Sequence, residues 1–174
     1  MTKSKILIVE DEALVAQQIE EELQGVGYEV VSQVSYGEKV LDEVNKCHPD
    51  LVLMDIMLKG EINGIEAARQ LKSCSDVPVV FLTAYGDRQM FERASQTEPY
   101  GFLTKPYRPQ ELNAAIAIGL HDTGRARLEG RRAQHLFFIG QMTGHVFRVE
   151  DRIFEHRVFA AGHNENRGEH SGNT

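Results

Sequence analysis

The chain lacks the apolar runs that a membrane-spanning helix needs, about 20 consecutive residues. Apolar runs such as Ile6–Val9 and Val77–Leu82 are strand-sized. The opening Met-Thr-Lys-Ser-Lys leads straight into the first of them, without the apolar core of a secretion signal, so a cytoplasmic protein is expected. Cysteine is scarce: Cys47 and Cys74 lie in neither a C-x-x-C nor a metal-type spacing, which excludes a disulfide framework and a zinc site built on thiolates. No P-loop and no helix-turn-helix signal of sufficient length is found. The histidines form no pairs at i, i+4 that would suit a metal. Lysine is missing beyond Lys105, whereas six of the seven histidines lie from His121 onward.

What is present is ordinary for a globular protein: 174 residues, 41% hydrophobic and 26% charged. That suits one domain with a modest appendage. The net charge of −7 is unevenly divided. Residues 1–121 carry 11 Lys+Arg against 19 Asp+Glu, and residues 122–174 carry 8 Arg against 7 acids. This change of character places a domain boundary near 121, with a C-terminal tail over 122–174.

Residues 1–121 alternate between two kinds of segment. Ile6–Val9 and Leu51–Met54 are wholly apolar and read as strands buried on both faces. Tyr28–Val34, Val77–Leu82 and Gly101–Leu103 supply three more strands. Between them, helical spacing of apolar residues runs over Glu12–Val26, Gly37–Cys47, Gly64–Ser73, Asp87–Gln96 and Pro109–Leu120. Five strand–helix units imply an α/β fold, a doubly wound parallel five-stranded sheet with helices on both faces. In such sheets ligands bind beyond the carboxyl ends of the strands.

Those ends are chemically loaded. Glu10, Asp11 and Glu12 follow the first strand, Asp55 the third, Thr83 and Ala84 the fourth, and Lys105 and Pro106 the fifth. Clustered carboxylates suit Mg²⁺, which takes hard oxygen ligands, and a lysine pairs with an anionic group. Each residue has an ordinary explanation taken singly, such as a helix cap for Asp11. Their arrival at one rim from four strands argues against coincidence.

These stretches closely resemble the receiver domain of two-component response regulators, including the chemotaxis regulator type. The resemblance rests on Ile-Leu-Ile-Val-Glu-Asp-Glu at 6–12, Leu-Val-Leu-Met-Asp-Ile-Met-Leu at 51–58, Val-Val-Phe-Leu-Thr-Ala at 79–84 and Tyr-Gly-Phe-Leu-Thr-Lys-Pro-Tyr at 100–107. It implies a flavodoxin-like (βα)5 fold and a protein that is no enzyme in the usual sense, assisting only its own phosphorylation and dephosphorylation. By it, Asp55 accepts a phosphoryl group from a phosphohistidine of a sensor histidine kinase or phosphotransfer protein. Mg²⁺ is held by Glu10, Asp11, Asp55 and the Met57 backbone carbonyl. Lys105, the Thr83 hydroxyl and the Ala84 backbone N–H hold phosphoryl oxygens. Thr83 and Phe102 form the switch, and the surface of the fourth helix, fifth strand and fifth helix changes, serving a homodimer or a downstream protein target.

Three departures stand out. Phe102 occupies a place where the family more often has Tyr. Lys59 stands where the family usually has Pro, in a loop with one extra residue before Gly64. In the family the positions of Met57 and Tyr85 flank the path of hydrolytic water, so the resemblance implies that a bulky apolar and an aromatic residue there give a long-lived phosphoryl group.

The tail has no recognised output domain. Leu128, Ala133, Leu136 and Ile139 fall near helical spacing, so the fifth helix could run on through Arg125–Ile139. The segments 146–149 and 152–159 fit a helix or a hairpin, and disorder is expected from Gly162. Arg125, Arg127, Arg131 and Arg132 form a basic cluster with acids nearby, which favours a solvated face over a nucleic-acid site. His156 lacks the acidic neighbour of a sensor-kinase phosphorylation box. The alternatives are therefore a DNA-binding transcriptional regulator acting through the Arg-rich tail, or a receiver fragment of a larger hybrid sensor kinase. A flavin carrier is disfavoured, because Glu10, Asp11 and Glu12 would repel a flavin phosphate.

Overall fold

In the computed structural model, residues 3–84, 88–129, 136–139 and 146–149 are described. The elements follow in the order β1 (Lys5–Val9), α1 (Ala13–Gly25), β2 (Glu29–Val34), a 3-10 turn (Gly37–Lys39), α2 (Val40–Cys47), β3 (Leu51–Asp55), α3 (Gly64–Cys74), β4 (Val79–Ala84), α4 (Arg88–Ser95), β5 (Gly101–Lys105), α5 (Pro109–Glu129), β6 (Leu136–Ile139) and β7 (Val146–Val149).

The contiguous apolar strands are buried on both faces because alternate side chains enter two separate cores. Leu7, Val9, Val52, Met54, Phe81 and Phe102 pack with Val40 and Val44 of α2, Ile65, Ala68 and Leu71 of α3, and Ala94 of α4. Ile6, Ile8, Leu51, Leu53, Val80 and Leu82 pack with Ala16, Ile19 and Leu23 of α1 and Leu112, Ala115 and Ile116 of α5. Three helices thus cover one face of the sheet and two cover the other. Each fully buried Leu, Ile, Val or Phe contributes roughly 1.5–3 kcal/mol relative to an exposed one. This pair of cores is what holds the strand ends in register.

Local signals set the helix starts. The Asn63 side chain accepts the Glu66 N–H at 3.0 Å, capping α3. Glu111 reaches back to accept the Arg108 N–H at 2.9 Å at the start of α5.

The strand order is β2-β1-β3-β4-β5-β6-β7. β1 to β5 pair in parallel, as the sequence predicts. The chain moves outward from β1 to β2 and then crosses to β3 on the other side. The switch point therefore lies between the carboxyl ends of β1 and β3, where a crevice opens.

The sheet has two strands beyond the five expected. β6 pairs in parallel with β5, placing Gly101, Phe102 and Leu103 opposite Phe137, Phe138 and Ile139. β7 then pairs antiparallel with β6. The helical continuation through Ile139 is corrected: α5 passes residue 121, extends to Glu129, and Leu136–Ile139 is a strand. Leu-Phe-Phe-Ile is a contiguous apolar, aromatic-rich run, which fits a pleated sheet better than one stripe of a helix. The clusters at 131–132 and 152–159, His156 and the segment from Gly162 lie outside the described residues. Among the described residues, no helix is long and apolar enough to cross a membrane.

Candidate functional site

The crevice at the switch point gathers side chains from three of the strand ends. Glu10, Asp11 and Asp55 each offer a carboxylate oxygen, and these oxygens lie within 4.8 Å of one another. Glu10 and Asp55 are buried, and the Asp11 side chain is nearly so. Glu10 sits where β1 ends, its backbone N–H bonded to Val34 O at 2.9 Å. Its Oε1 accepts the Glu12 N–H at 3.2 Å. Asp55 closes β3, opposite Leu82 of β4.

Lys105, at the end of β5, brings an ammonium group to Glu10 and Asp55. Its Nζ donates to Glu10 Oε2 at 2.6 Å and to Asp55 Oδ2 at 2.5 Å. The other oxygen of Asp55, Oδ1, accepts the Met57 N–H at 2.9 Å. The Asp55 carboxylate is thereby fixed by one ammonium and one backbone donor.

The titration of the site follows from this crowding. Burial holds Glu10 above the ordinary carboxylate range, and the Asp55 charge adds to it, against the opposing hydrogen bond from Lys105. Burial works against the charge on Lys105. Its hydrogen bonds to Asp55 and Glu10 outweigh that and hold the ammonium above its ordinary range.

β4 lies beside this group. Thr83 is buried and pairs across with Thr104, while the exposed Ala84 pairs with Lys105. The Thr83 hydroxyl donates to Ala84 O at 3.2 Å. Phe102, two strand residues from Thr104 in β5, is fully buried. Its ring lies 5.6 Å from that of Phe81 and 4.4 Å from that of Phe91. Phe102 thus stands in the inward position, tied to β4 and α4. Met57 is 62% exposed at the mouth of the crevice, and Tyr85 lies outside the described residues.

The loop from β3 to α3 passes over the crevice because Gly64 allows it. The Gly64 N–H bonds Ile56 O at 3.0 Å, and a Cβ there would run into the Asp55 carbonyl. Two features of this loop were not foreseen. Lys59 forms an ion pair with Asp11 Oδ2 at 2.8 Å. Glu38 Oε1 accepts the N–H groups of Glu61 and Ile62, the latter at 3.0 Å. The loop sequence marks Lys59 as unusual, but no periodicity signals its partner. Glu38 belongs to a different strand–helix connection.

Comparison with known proteins agrees with this architecture. Residues 6–117 match the response regulator receiver domain family. The transcriptional regulatory protein PdtaR of Mycobacterium tuberculosis is 34% identical over 116 residues, which cover 67% of this chain and 56% of that protein. The DNA-binding response regulator MtrA of Mycobacterium leprae is 35% identical over 118 residues, covering 68% of this chain and 52% of that protein. The chain spans about half the length of the curated relatives it matches. Among solved structures, the signal receiver domain of a modulated diguanylate cyclase from Desulfovibrio desulfuricans is similar, with a TM-score of 0.67 and 33% identity, covering 74% of this chain and 99% of that one. A response regulator structure from Chloroflexus aurantiacus gives a TM-score of 0.65 at 31% identity, covering 69% of this chain and 99% of that one. With its flavodoxin-like parallel sheet and its acidic crevice at the switch point, the chain belongs to the response regulator receiver domain family of two-component signalling.

Proposed function

We propose that Asp55 is the phosphoacceptor of a Mg²⁺-dependent switch. The observation that carries this reading is the placement of the Lys105 ammonium between Glu10 and Asp55, with Asp11 completing the acidic triad. An octahedral Mg²⁺ with oxygens at about 2.1 Å needs ligands roughly 3–4.2 Å apart. Carboxylate oxygens within 4.8 Å of one another meet that with a small closure. Glu10, Asp11, Asp55 and the Met57 carbonyl would hold the ion, which supplies charge neutralisation to the phosphoryl oxygens.

The chain's own groups do the rest. An Asp55 oxygen attacks the phosphorus of a phosphohistidine; the P–O bond forms, the P–N bond breaks, and the departing imidazole takes up a proton. Phosphoryl transfer asks chiefly for positioning and charge neutralisation. The Met57 N–H holds Asp55 Oδ1 in place. Lys105 follows the negative charge from the free carboxylate to a phosphoryl oxygen. Thr83 and the Ala84 N–H, on the neighbouring strand, take other phosphoryl oxygens. Thr83 turning toward the phosphoryl group vacates space beside β5, and Phe102 packed against Phe91 of α4 passes the change to that helix.

Residues 1–121 then act as the receiver, with 122–174 as its appendage, in the cytoplasm. The kinase or phosphotransfer partner docks at the crevice, and the α4-β5-α5 surface serves a homodimer or downstream protein target. The outer edge of β5 is paired with β6, so such contacts use the helix faces. The test is intact mass after incubation with Mg²⁺ and a small phosphodonor. Wild type gains one phosphoryl group and Asp55→Asn gains none; equal labelling of both refutes the assignment. A second reading, a transcriptional regulator binding DNA through its tail, is favoured by the names of the relatives PdtaR and MtrA. A gel shift without binding at low salt removes it.

A further inference from the structure

Lys59 and the loop that carries it form a feature that phosphoryl transfer does not use. The Lys59 side chain is 73% exposed, yet its ammonium turns back onto Asp11, whose side chain is only 8% exposed. An exposed lysine ordinarily keeps its head in water and gains little from an ion pair. Here the backbone brings it to the carboxylate. Lys59 forms a parallel bridge with Tyr36 beyond the end of β2. The next residues are tied to Glu38, whose carboxylate accepts the Glu61 and Ile62 N–H groups. Gly60 has a φ of +119°, and a Cβ there would lie 2.8 Å from Glu38 Oε1. The positive φ at Gly60 favours glycine, which lets the loop turn against Glu38.

The pairing divides the crevice. Lys105 serves Glu10 and Asp55, and Lys59 serves Asp11. Every carboxylate of the triad has an ammonium partner. Lys59 sits on Asp11 Oδ2 at 2.8 Å, so a divalent cation arriving at Asp11 meets a positive charge already bound to that carboxylate.

We propose that Lys59 is a built-in competitor of the divalent cation, an intramolecular ammonium that holds Asp11 and must be displaced before the ion binds. This inference rests on the reading of Glu10, Asp11 and Asp55 as the Mg²⁺ site. Lys59 acts as a positioning and affinity-setting residue: it contacts a ligand of the ion rather than the reacting atoms. It sets the cation concentration at which the switch becomes competent.

Calorimetric titration of the full chain with MgCl₂ at low ionic strength tests this, with circular dichroism reporting folding. Removing the ammonium frees Asp11 and relieves repulsion of the ion, so Lys59→Gln and Lys59→Met each bind Mg²⁺ about 3- to 10-fold more tightly than wild type. Lys59→Arg keeps the charge and stays within about twofold of wild type. Asp11→Asn weakens binding strongly with either residue at position 59. Unchanged or weaker affinity in both Lys59→Gln and Lys59→Met overturns the inference and leaves the metal-site reading standing. Absence of Mg²⁺ binding in wild type and both variants overturns the two together.

Discussion

Gly64→Ala puts the geometry of the β3–α3 connection to a direct test. A methyl built on Gly64 would collide with the Asp55 carbonyl oxygen and stand 3.0 Å from Asp55 C and 3.1 Å from Ile56 Cα. Comfortable carbon contacts are about 3.5–4.0 Å. The neighbours are backbone atoms of a fully buried strand end, so no side chain can swing away. Overpacking of this kind costs about 1–3 kcal/mol. Ala in a helix offsets at most about 0.5–1 kcal/mol of that, and less at Gly64, the first residue after the Asn63 cap. The net loss is about 1–2 kcal/mol. For a domain of this size, that lowers Tm by roughly 4–8 °C. Gly25→Ala is the internal control, because nothing lies within 4 Å of a Cβ at the end of α1. Thermal unfolding followed by circular dichroism separates the two. A Gly64→Ala Tm within about 1 °C of wild type, or an equal drop in Gly25→Ala, refutes the reasoning. The same substitution shifts the Asp55 carbonyl beside Met57, so phosphorylation by a small donor slows as well.

Glu111→Gln reports on the α5 start. Hydrogen bonding to the Arg108 N–H, above all, holds Glu111 below the ordinary carboxylate value of 4.5. A depressed folded-state value means stability that is present above that pH and lost as pH falls through the folded value. Wild type is therefore more stable than Glu111→Gln near neutral pH, by about 0.5–1 kcal/mol, the worth of a capping interaction. The difference in Tm between the two shrinks below pH 4.5; a difference that grows on acidification is the contrary result. For the phosphorylated protein, with the apolar, exposed Met57 at the crevice mouth, the Asp55 phosphoryl group is expected to persist for minutes. Intact mass over a time course with Mg²⁺ checks this, and loss within seconds contradicts it.

The strands were legible because parallel strands buried on both faces must be continuously apolar. Ile6–Val9 and Leu51–Met54 admit few other readings, and all eight side chains are fully buried. Once the strands are placed, the α/β topology dictates that the residues following them meet at one end of the sheet. Glu10, Asp11, Asp55 and Lys105 do meet there. β6 was harder. Leu136 and Ile139 satisfy helical spacing as well as strand composition, and pairing with β5 decides between them. The Lys59–Asp11 pair was not legible at all. It depends on Glu38 gripping Glu61 and Ile62, a contact between two loops that no local pattern encodes.

The charge count of the crevice ties these loops to the switch. Three carboxylates face two ammonium groups, so the site carries about one negative charge when both lysines are seated. If a divalent ion displaces Lys59 from Asp11, the inner site of three carboxylates, Lys105 and the ion is neutral. Phosphorylation then replaces the single charge of Asp55 with roughly two. Starting from neutrality, the product bears one excess negative charge; starting with Lys59 in place of the ion, it bears two, in a crevice where burial already holds Glu10 above its ordinary range. The second state is the costlier at low dielectric. Lys59 therefore stabilises the resting site without substituting for the ion during transfer. That asymmetry is what a competitor needs in order to gate the reaction: it offsets part of the crevice charge while the ion is scarce, and it leaves phosphorylation dependent on the ion arriving.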